Sequence, residues 1–167
     1  VKMALSDTIT TIEGRPVYYV RISDNPDVNE SEPEVLYTGM HHAREPIGMQ
    51  HLLFYMWYLL ENYSSDSLVK GLVDSTELYF VPVFNVDGYI HNITNFPAGG
   101  GQWRKNKRDN GDGTIGVDIN RNYGYMWGYD DIGSSPVPES DTYRGASPFS
   151  EPETRMMKYF CEDHNFL

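Results

Sequence analysis

A chain of 167 residues, 40% hydrophobic and 22% charged, has room for one globular core and little more. Thirteen Lys and Arg against 24 Asp and Glu leave a net charge of −11, which argues against nucleic-acid binding through clustered cations and against docking to an anionic membrane surface. The single cysteine, Cys161, rules out an internal disulfide; in a predicted helix it reads as an inert, half-buried thiol.

Thr8 to Ile12 is β-prone, Glu13-Gly14-Arg15-Pro16 supplies a turn, and Val17 to Ile22 resumes a strand. After an acidic loop from Ser23 to Pro33, the apolar run Val35 to Met40 reads as a strand buried in a sheet. His41-His42-Ala43-Arg44-Glu45-Pro46 follows at once, with Pro46 suited to the first turn of a helix. That helix is predicted to about Asn62 and is apolar nearly all round, which predicts packing between layers. A shorter helix near Leu68 to Val73 leads into the buried strand Leu78 to Val83, where Pro82 marks an edge or a strand end.

From Asn85 to Ser150 the sequence reads as loop, dense in Gly, Asn, Asp and Pro, and a loop region of this length is usually functional. Ser150 and Glu153 have capping-box spacing for a last helix to about Asp163. No run is long enough to span a membrane, Val1 does not open a signal peptide, and the missing initiator Met suggests excision from a longer polypeptide. Asn29, Asn62 and Asn92 begin triplets of the glycosylation pattern, which arises often by chance. Strand, helix, strand, loops, helix predicts an α/β fold.

A hydrolytic zinc site needs imidazoles and carboxylates converging on one point, with a position left for water. His42 and Glu45, three apart at a strand-to-helix turn, can project from one corner at the carboxyl end of a strand. The same spacing equally suits a surface His and a Glu placed at a helix N-terminus by the macrodipole. Trp103-Arg104-Lys105-Asn106-Lys107-Arg108 reads, on its own, as a solvated basic loop, and Asp118-Ile119-Asn120-Arg121-Asn122 as a capped turn. Asp109-Asn110-Gly111-Asp112-Gly113 lacks the register of a calcium loop and reads as tight turns.

Taken in order, these stretches resemble the carboxypeptidase A-type (M14) zinc metallocarboxypeptidases. Gly39-Met40-His41-His42-Ala43-Arg44-Glu45 is similar to the family's first metal motif, Trp103-Arg104-Lys105 to its Trp-Arg-Lys segment, and Asp118 to Asn122 to its Asp-x-Asn-Arg-Asn signature. Thr142-Tyr143-Arg144-Gly145 and Phe149 to Thr154 resemble the family and read as scaffold, while Asn85-Val86-Asp87-Gly88 has Val86 where the family has Pro. The resemblance implies a three-layer αβα fold with a twisted, mixed but largely parallel sheet, present here only in part, with residues 1–167 as the N-terminal portion of one catalytic domain.

It also implies site roles. His42 and Glu45 take the places of two ligands of a single Zn2+, with His41 a neighbour. Arg104 takes the place of the donor that polarises the scissile carbonyl, a role suited to a permanently charged planar fork. Asn120, Arg121 and Arg44 take the places that bind the substrate, the first two holding its terminal carboxylate. Asp118 takes that of the acceptor orienting His42. The family's third ligand (a His on the strand after this last helix), its closing Tyr and its general-base Glu match nothing in the 167 residues, so the fragment alone is expected to hold zinc weakly or not at all and to be inactive. His164 is read as a partner of the helix C-terminus, and His51 and His91 as ordinary helix and loop residues.

The activity implied is removal of C-terminal residues from peptides or proteins. The net charge and the lack of a long apolar run predict no nucleic-acid partner and no membrane insertion, while the resemblance points to a secreted or periplasmic location and the oligomeric state stays open. Two alternatives stand beside it: a related zinc amidohydrolase acting on small acyl-amino acids, and a catalytically dead peptide-binding module that kept the carboxylate clamp.

Overall fold

The structure, a computed structural model, describes residues 2–167; Val1, where the missing initiator Met was noted, lies outside the described residues. Its elements in chain order are β1 (Lys2–Ala4), β2 (Tyr18–Ile22), β3 (Glu34–Thr38), α1 (Pro46–Asn62), α2 (Ser67–Val73), β4 (Glu77–Val81), α3 (Val86–Asn95), a 3-10 turn (Ile119–Arg121) and α4 (Pro152–Glu162). The strands form one mixed sheet in the order β1-β2-β4-β3. β1 with β2 and β2 with β4 are antiparallel, while β3 and β4 are parallel, with Tyr37 opposite Phe80.

β4 explains the layering. All five of its residues are buried, as expected of a central strand covered on both faces. Its side chains alternate: Leu78 and Phe80 join Ile22, Met56, Leu59, Val69 and Val73 under α1 and α2, while Tyr79 and Val81 join Tyr19, Phe84, Ile119, Met156 and Phe160 under α4. The result is helix, sheet, helix, the αβα arrangement that the resemblance implies. At β3's free edge, Phe166 forms a parallel bridge with Glu34, and the Leu167 N–H donates to the Glu34 carbonyl (3.1 Å).

Several local expectations are corrected. The β-prone stretch Thr8 to Ile12 forms no strand, because its polar groups serve turns: the Thr11 hydroxyl donates to Asp87 and accepts from the Arg15 N–H. The region after Asn85 begins with a helix, α3, capped by the Asn85 side chain, so His91 is helical. Ser150 does not cap α4; its hydroxyl donates to Glu151 instead, and Glu151 is the N-cap residue, without a side-chain cap bond. Cys161 is exposed. α1 buries Met56 and Leu59 toward the sheet, but Phe54 and Trp57 on its outer side are 69% and 65% exposed, so among the described residues it is covered on one face only.

Candidate metal centre

The parallel strands β3 and β4 end together, and their exits are stitched into one corner. The Gly39 N–H donates to the Val81 carbonyl (2.8 Å), and the Phe84 and Asn85 N–H groups return to the carbonyls of Gly39 (3.1 Å) and Met40 (2.9 Å). Gly39 is required there, since a Cβ would lie 2.8 Å from the Pro82 carbonyl oxygen. Met40 then takes a left-handed conformation (φ 55°), uncommon outside glycine, which turns the chain out of the sheet and presents His42. Pro46 opens α1 and leaves Glu45 as its N-cap residue, with a carboxylate that makes no cap bond and faces His42 instead.

His42 is buried and fixed at both ring nitrogens. Nδ1 lies 3.1 and 3.2 Å from the two Glu45 carboxylate oxygens, and Nε2 lies 3.1 Å from Asp118 Oδ1. Two ligands of a tetrahedral zinc, each about 2.0–2.1 Å from the ion, are about 3.3 Å apart, so the Nδ1 to Glu45 spacing fits that ion. An Nε2 that donates to a carboxylate leaves Nδ1 with its lone pair free, the tautomer a metal requires. The donor set thus fits zinc with two ligands in place. Among the described residues no third His, Cys, Asp or Glu joins them; the group of three that does converge, Asp24, Glu30 and Glu32, lies in the acidic loop before β3.

Asp118 is the wiring of the corner. It is fully buried, accepts from Arg104 Nη2 (2.8 Å) and Nε (3.2 Å) through Oδ2, and accepts the Asn120 N–H (3.0 Å) through Oδ1. Burial pushes its carboxyl up, but the bonds from His42 and Arg104 outweigh it and hold it below the ordinary carboxylate value. The remaining Arg104 nitrogen, Nη1, stands 3.8 Å from Glu45 Oε1, facing the metal corner. A cleft of about 570 Å³ brings His42 and Glu45 together with Asn120. Asn120 is shared with an adjoining cavity of about 410 Å³ that holds Arg121 among Tyr123, Tyr125, Trp127 and Tyr129.

Arg121 is braced by the Gly133 carbonyl (Nε, 2.7 Å) and its neighbour's carbonyl (Nη1, 3.2 Å), leaving Nη2 without a hydrogen bond to the described residues. Arg44 is held aside by Asp141 (3.1 Å) and by the Gln102 carbonyl. The stretch around Arg104 is no solvated basic loop. Lys105 is buried, donating to the Pro138 and Ser140 carbonyls, and burial pulls its amine down; Lys107 lies 3.9 Å from the centre of the Trp103 ring.

Sequence reasoning missed the buried asparagines that hold these loops. Asn106 donates to Glu151 (2.7 Å) and Glu153 (3.2 Å) and accepts the Val117 N–H (2.8 Å). Asn122 donates to the Arg144 and Ser147 carbonyls and to Ser150, and accepts from the Glu151 N–H and the Thr154 hydroxyl. Their signal was the density of Asn in a region with few apolar residues to pack. His41, adjacent to the ligand candidate, meets the Tyr123 hydroxyl (2.9 Å), and burial followed by the nearness of His42 lowers its pKa to about 4. His164 pairs with Glu34 (2.7 Å) and not with the end of α4, because the chain bends at Asp163 and His164 toward the edge of β3.

A mixed sheet covered by helices on both faces, with His42 and Glu45 at the carboxyl ends of its parallel strands, is an α/β fold with a polar corner where such folds place their ligands. The sequence profile of the zinc carboxypeptidase family matches residues 3–167, and the chain belongs to that family. It is 38% identical over 124 residues to a zinc carboxypeptidase of Saccharothrix mutabilis subsp. capreolus, covering 74% of this chain and 28% of that protein. With carboxypeptidase O of Bos taurus it shares 37% over 153 residues, or 91% of this chain and 39% of that one. The solved carboxypeptidase A of Helicoverpa armigera superposes with a TM-score of 0.83 at 31% identity, over 98% of this chain and 37% of that structure. The chain therefore spans about a third of the length of the relatives it matches. No helix among the described residues is long and apolar enough to cross a membrane.

Proposed function

We propose that residues 1–167 are the N-terminal portion of one metallocarboxypeptidase catalytic domain, and that the complete protein hydrolyses the C-terminal peptide bond of peptides or proteins outside the cytoplasm. The observation that carries this reading is the buried Asp118 carboxylate, which holds His42 Nε2 and Arg104 together while His42 Nδ1 faces Glu45. Membership of the zinc carboxypeptidase family supports it.

In this reading His42 Nδ1 and Glu45 hold one Zn2+. When bound, the ion supplies Lewis-acid polarisation of the scissile carbonyl and a water of lowered pKa. Asn120 and Arg121 take the substrate's terminal carboxylate, the unengaged Nη2 of Arg121 offering donors in a fixed plane. Arg44, released from its exposed partner Asp141, adds a further contact to substrate. Arg104, anchored on Asp118, directs Nη1 toward the corner, where it stabilises negative charge developing on the carbonyl oxygen; loss of one such donor costs about 100- to 1,000-fold in kcat. The parallel bridge of Phe166 to Glu34 beside β3 supports the reading in which the family's third ligand lies on a strand after α4.

The test is release of C-terminal residues from blocked dipeptides ending in Phe, Arg or Glu by the complete protein, with and without a zinc chelator. No hydrolysis of any of them, with peptide binding retained, would favour the binding module. The 167-residue chain alone is expected to be inactive and to bind zinc poorly, and stoichiometric tight zinc in it would contradict that part of the reading.

A further inference from the structure

The tetrapeptide Asn85-Val86-Asp87-Gly88 has no part in the reading above, yet it sits where the two site-bearing loops meet. Asn85 is fully buried at the N-cap of α3. Its Oδ1 accepts the Gly88 N–H (3.0 Å), which satisfies the cap. Its Nδ2 turns away from the helix and donates to the carbonyls of His41 (3.2 Å) and Arg104 (3.2 Å). One side chain therefore joins the residue before His42 to Arg104 itself.

The surrounding packing converges on the same junction. The Ala43 N–H donates to the Arg104 carbonyl (3.1 Å), closing the two loops on each other. Gly88 marks how close they come: a Cβ there would stand 2.7 Å from Ala43 Cβ, from Asn85 Oδ1 and from the Lys105 carbonyl oxygen. Asp87, also fully buried, fixes the unit from the other side by accepting from the Thr11 hydroxyl (2.8 Å), the Glu13 N–H (2.8 Å) and Arg15 (2.6 Å).

A helix cap requires an acceptor and no donor, so the two bonds from Nδ2 lie outside the capping role and are explained by what they join. They fix the main chain from which the Arg104 side chain leaves. We propose that Asn85 is a positioning residue for the reaction, its carboxamide setting the distance between the His42–Glu45 corner and Arg104. This rests on the carboxypeptidase reading and adds to it a residue that touches neither substrate nor metal.

Asn85→Ser and Asn85→Asp, made in the complete protein, keep an acceptor for the Gly88 N–H and remove the Nδ2 donor. For a blocked dipeptide, kcat is expected to fall about 10- to 100-fold, with KM changed less than about threefold, because a misplacement near 1 Å is felt in the transition state more than in binding. Zinc content stays at one per chain. In an Arg104→Ala background the same substitutions are expected to lower kcat less than about twofold, since the group they misplace is gone. An equal loss in both backgrounds is what a merely structural Asn85 gives, and it overturns the proposal. So does wild-type kcat in both variants, or failure of both to fold by circular dichroism. Inactivity of the wild-type protein would remove the peptidase reading itself, and the proposal with it.

Discussion

Replacing Asp118 by Asn keeps the shape of the side chain and removes its charge, and the structure sets the size of the effect. Oδ1 meets His42 Nε2 at 3.1 Å and the Asn120 N–H at 3.0 Å, while Oδ2 takes Arg104 at 2.8 and 3.2 Å. Every partner is a donor, so either orientation of the new amide turns an NH2 group against one. Turned toward Arg104, it forfeits two charge-assisted bonds; turned toward His42, it breaks the bond that leaves Nδ1 free for a metal. A charge-assisted bond contributes about 1.5–3 kcal/mol and a stranded buried donor costs about 1–3 kcal/mol, so about 3–5 kcal/mol of stability should be lost. Zinc affinity of the complete protein, measured by competition with a chromophoric chelator, should weaken about 10- to 100-fold. The acid limb carries a further signature. Because the native carboxyl is held below its ordinary value, it contributes stability above about pH 4 that is lost as pH falls through the lowered value, and the Asn variant should lack that portion of acid unfolding. Unchanged zinc affinity together with an unchanged urea midpoint would refute the wiring described for this corner.

Two further predictions concern the loops that carry the site. Burial pushes the Glu153 carboxyl up to about 7, and its Oε1 has no hydrogen-bond partner among the described residues. The folded state therefore binds more protons than the unfolded one between about pH 4.5 and 7, so stability falls as pH rises through that window, by about 3 kcal/mol in all. Glu153→Gln should flatten the dependence of urea midpoints between pH 5 and 8, and parallel profiles for the two proteins would count against it. Gly145 has φ 84°, and a Cβ there would lie 2.6 Å from Ser150 Oγ and 2.7 Å from Asn122 Nδ2. Gly145→Ala should cost about 2–4 kcal/mol in a denaturant melt and raise KM through the Asn120–Arg121 turn next to Asn122; a stable variant with unaltered KM would show that the turn does not depend on Asn122.

What could be read from the sequence followed from short-range chemistry. His42, Glu45 and Pro46 announce a strand-to-helix corner because their spacing and Pro46's missing N–H act locally. β4 was visible as an apolar run because it is buried on both faces. α1 was visible too, but an apolar run all round a helix does not say which side is covered, and Phe54 and Trp57 lie on the open side. The helix α3 was hidden by Gly88, Asn92 and Asn95, composition that signals loop unless the cap bond from Asn85 is known. Arg104 and Asp118 were legible by resemblance only, since they lie 14 positions apart in irregular chain and the bond between them depends on tertiary structure. Asn106 and Asn122 stood out only as members of an Asn-rich stretch, because a buried Asn and a turn Asn look alike until their partners are placed.

The distribution of contacts around His42 also has a consequence in folding time. Glu45 lies three positions away, whereas Asp118 lies 76 positions away, within the stretch of little regular structure between Asn95 and Pro152. A distant pair costs more loop entropy to close than a local one, so the contact of the imidazole with Asp118 is expected to form later than its contact with Glu45. An ion bound at His42 would thus do little for β3 and β4, which are already joined. It would instead slow the undocking of the irregular segment that carries Asp118.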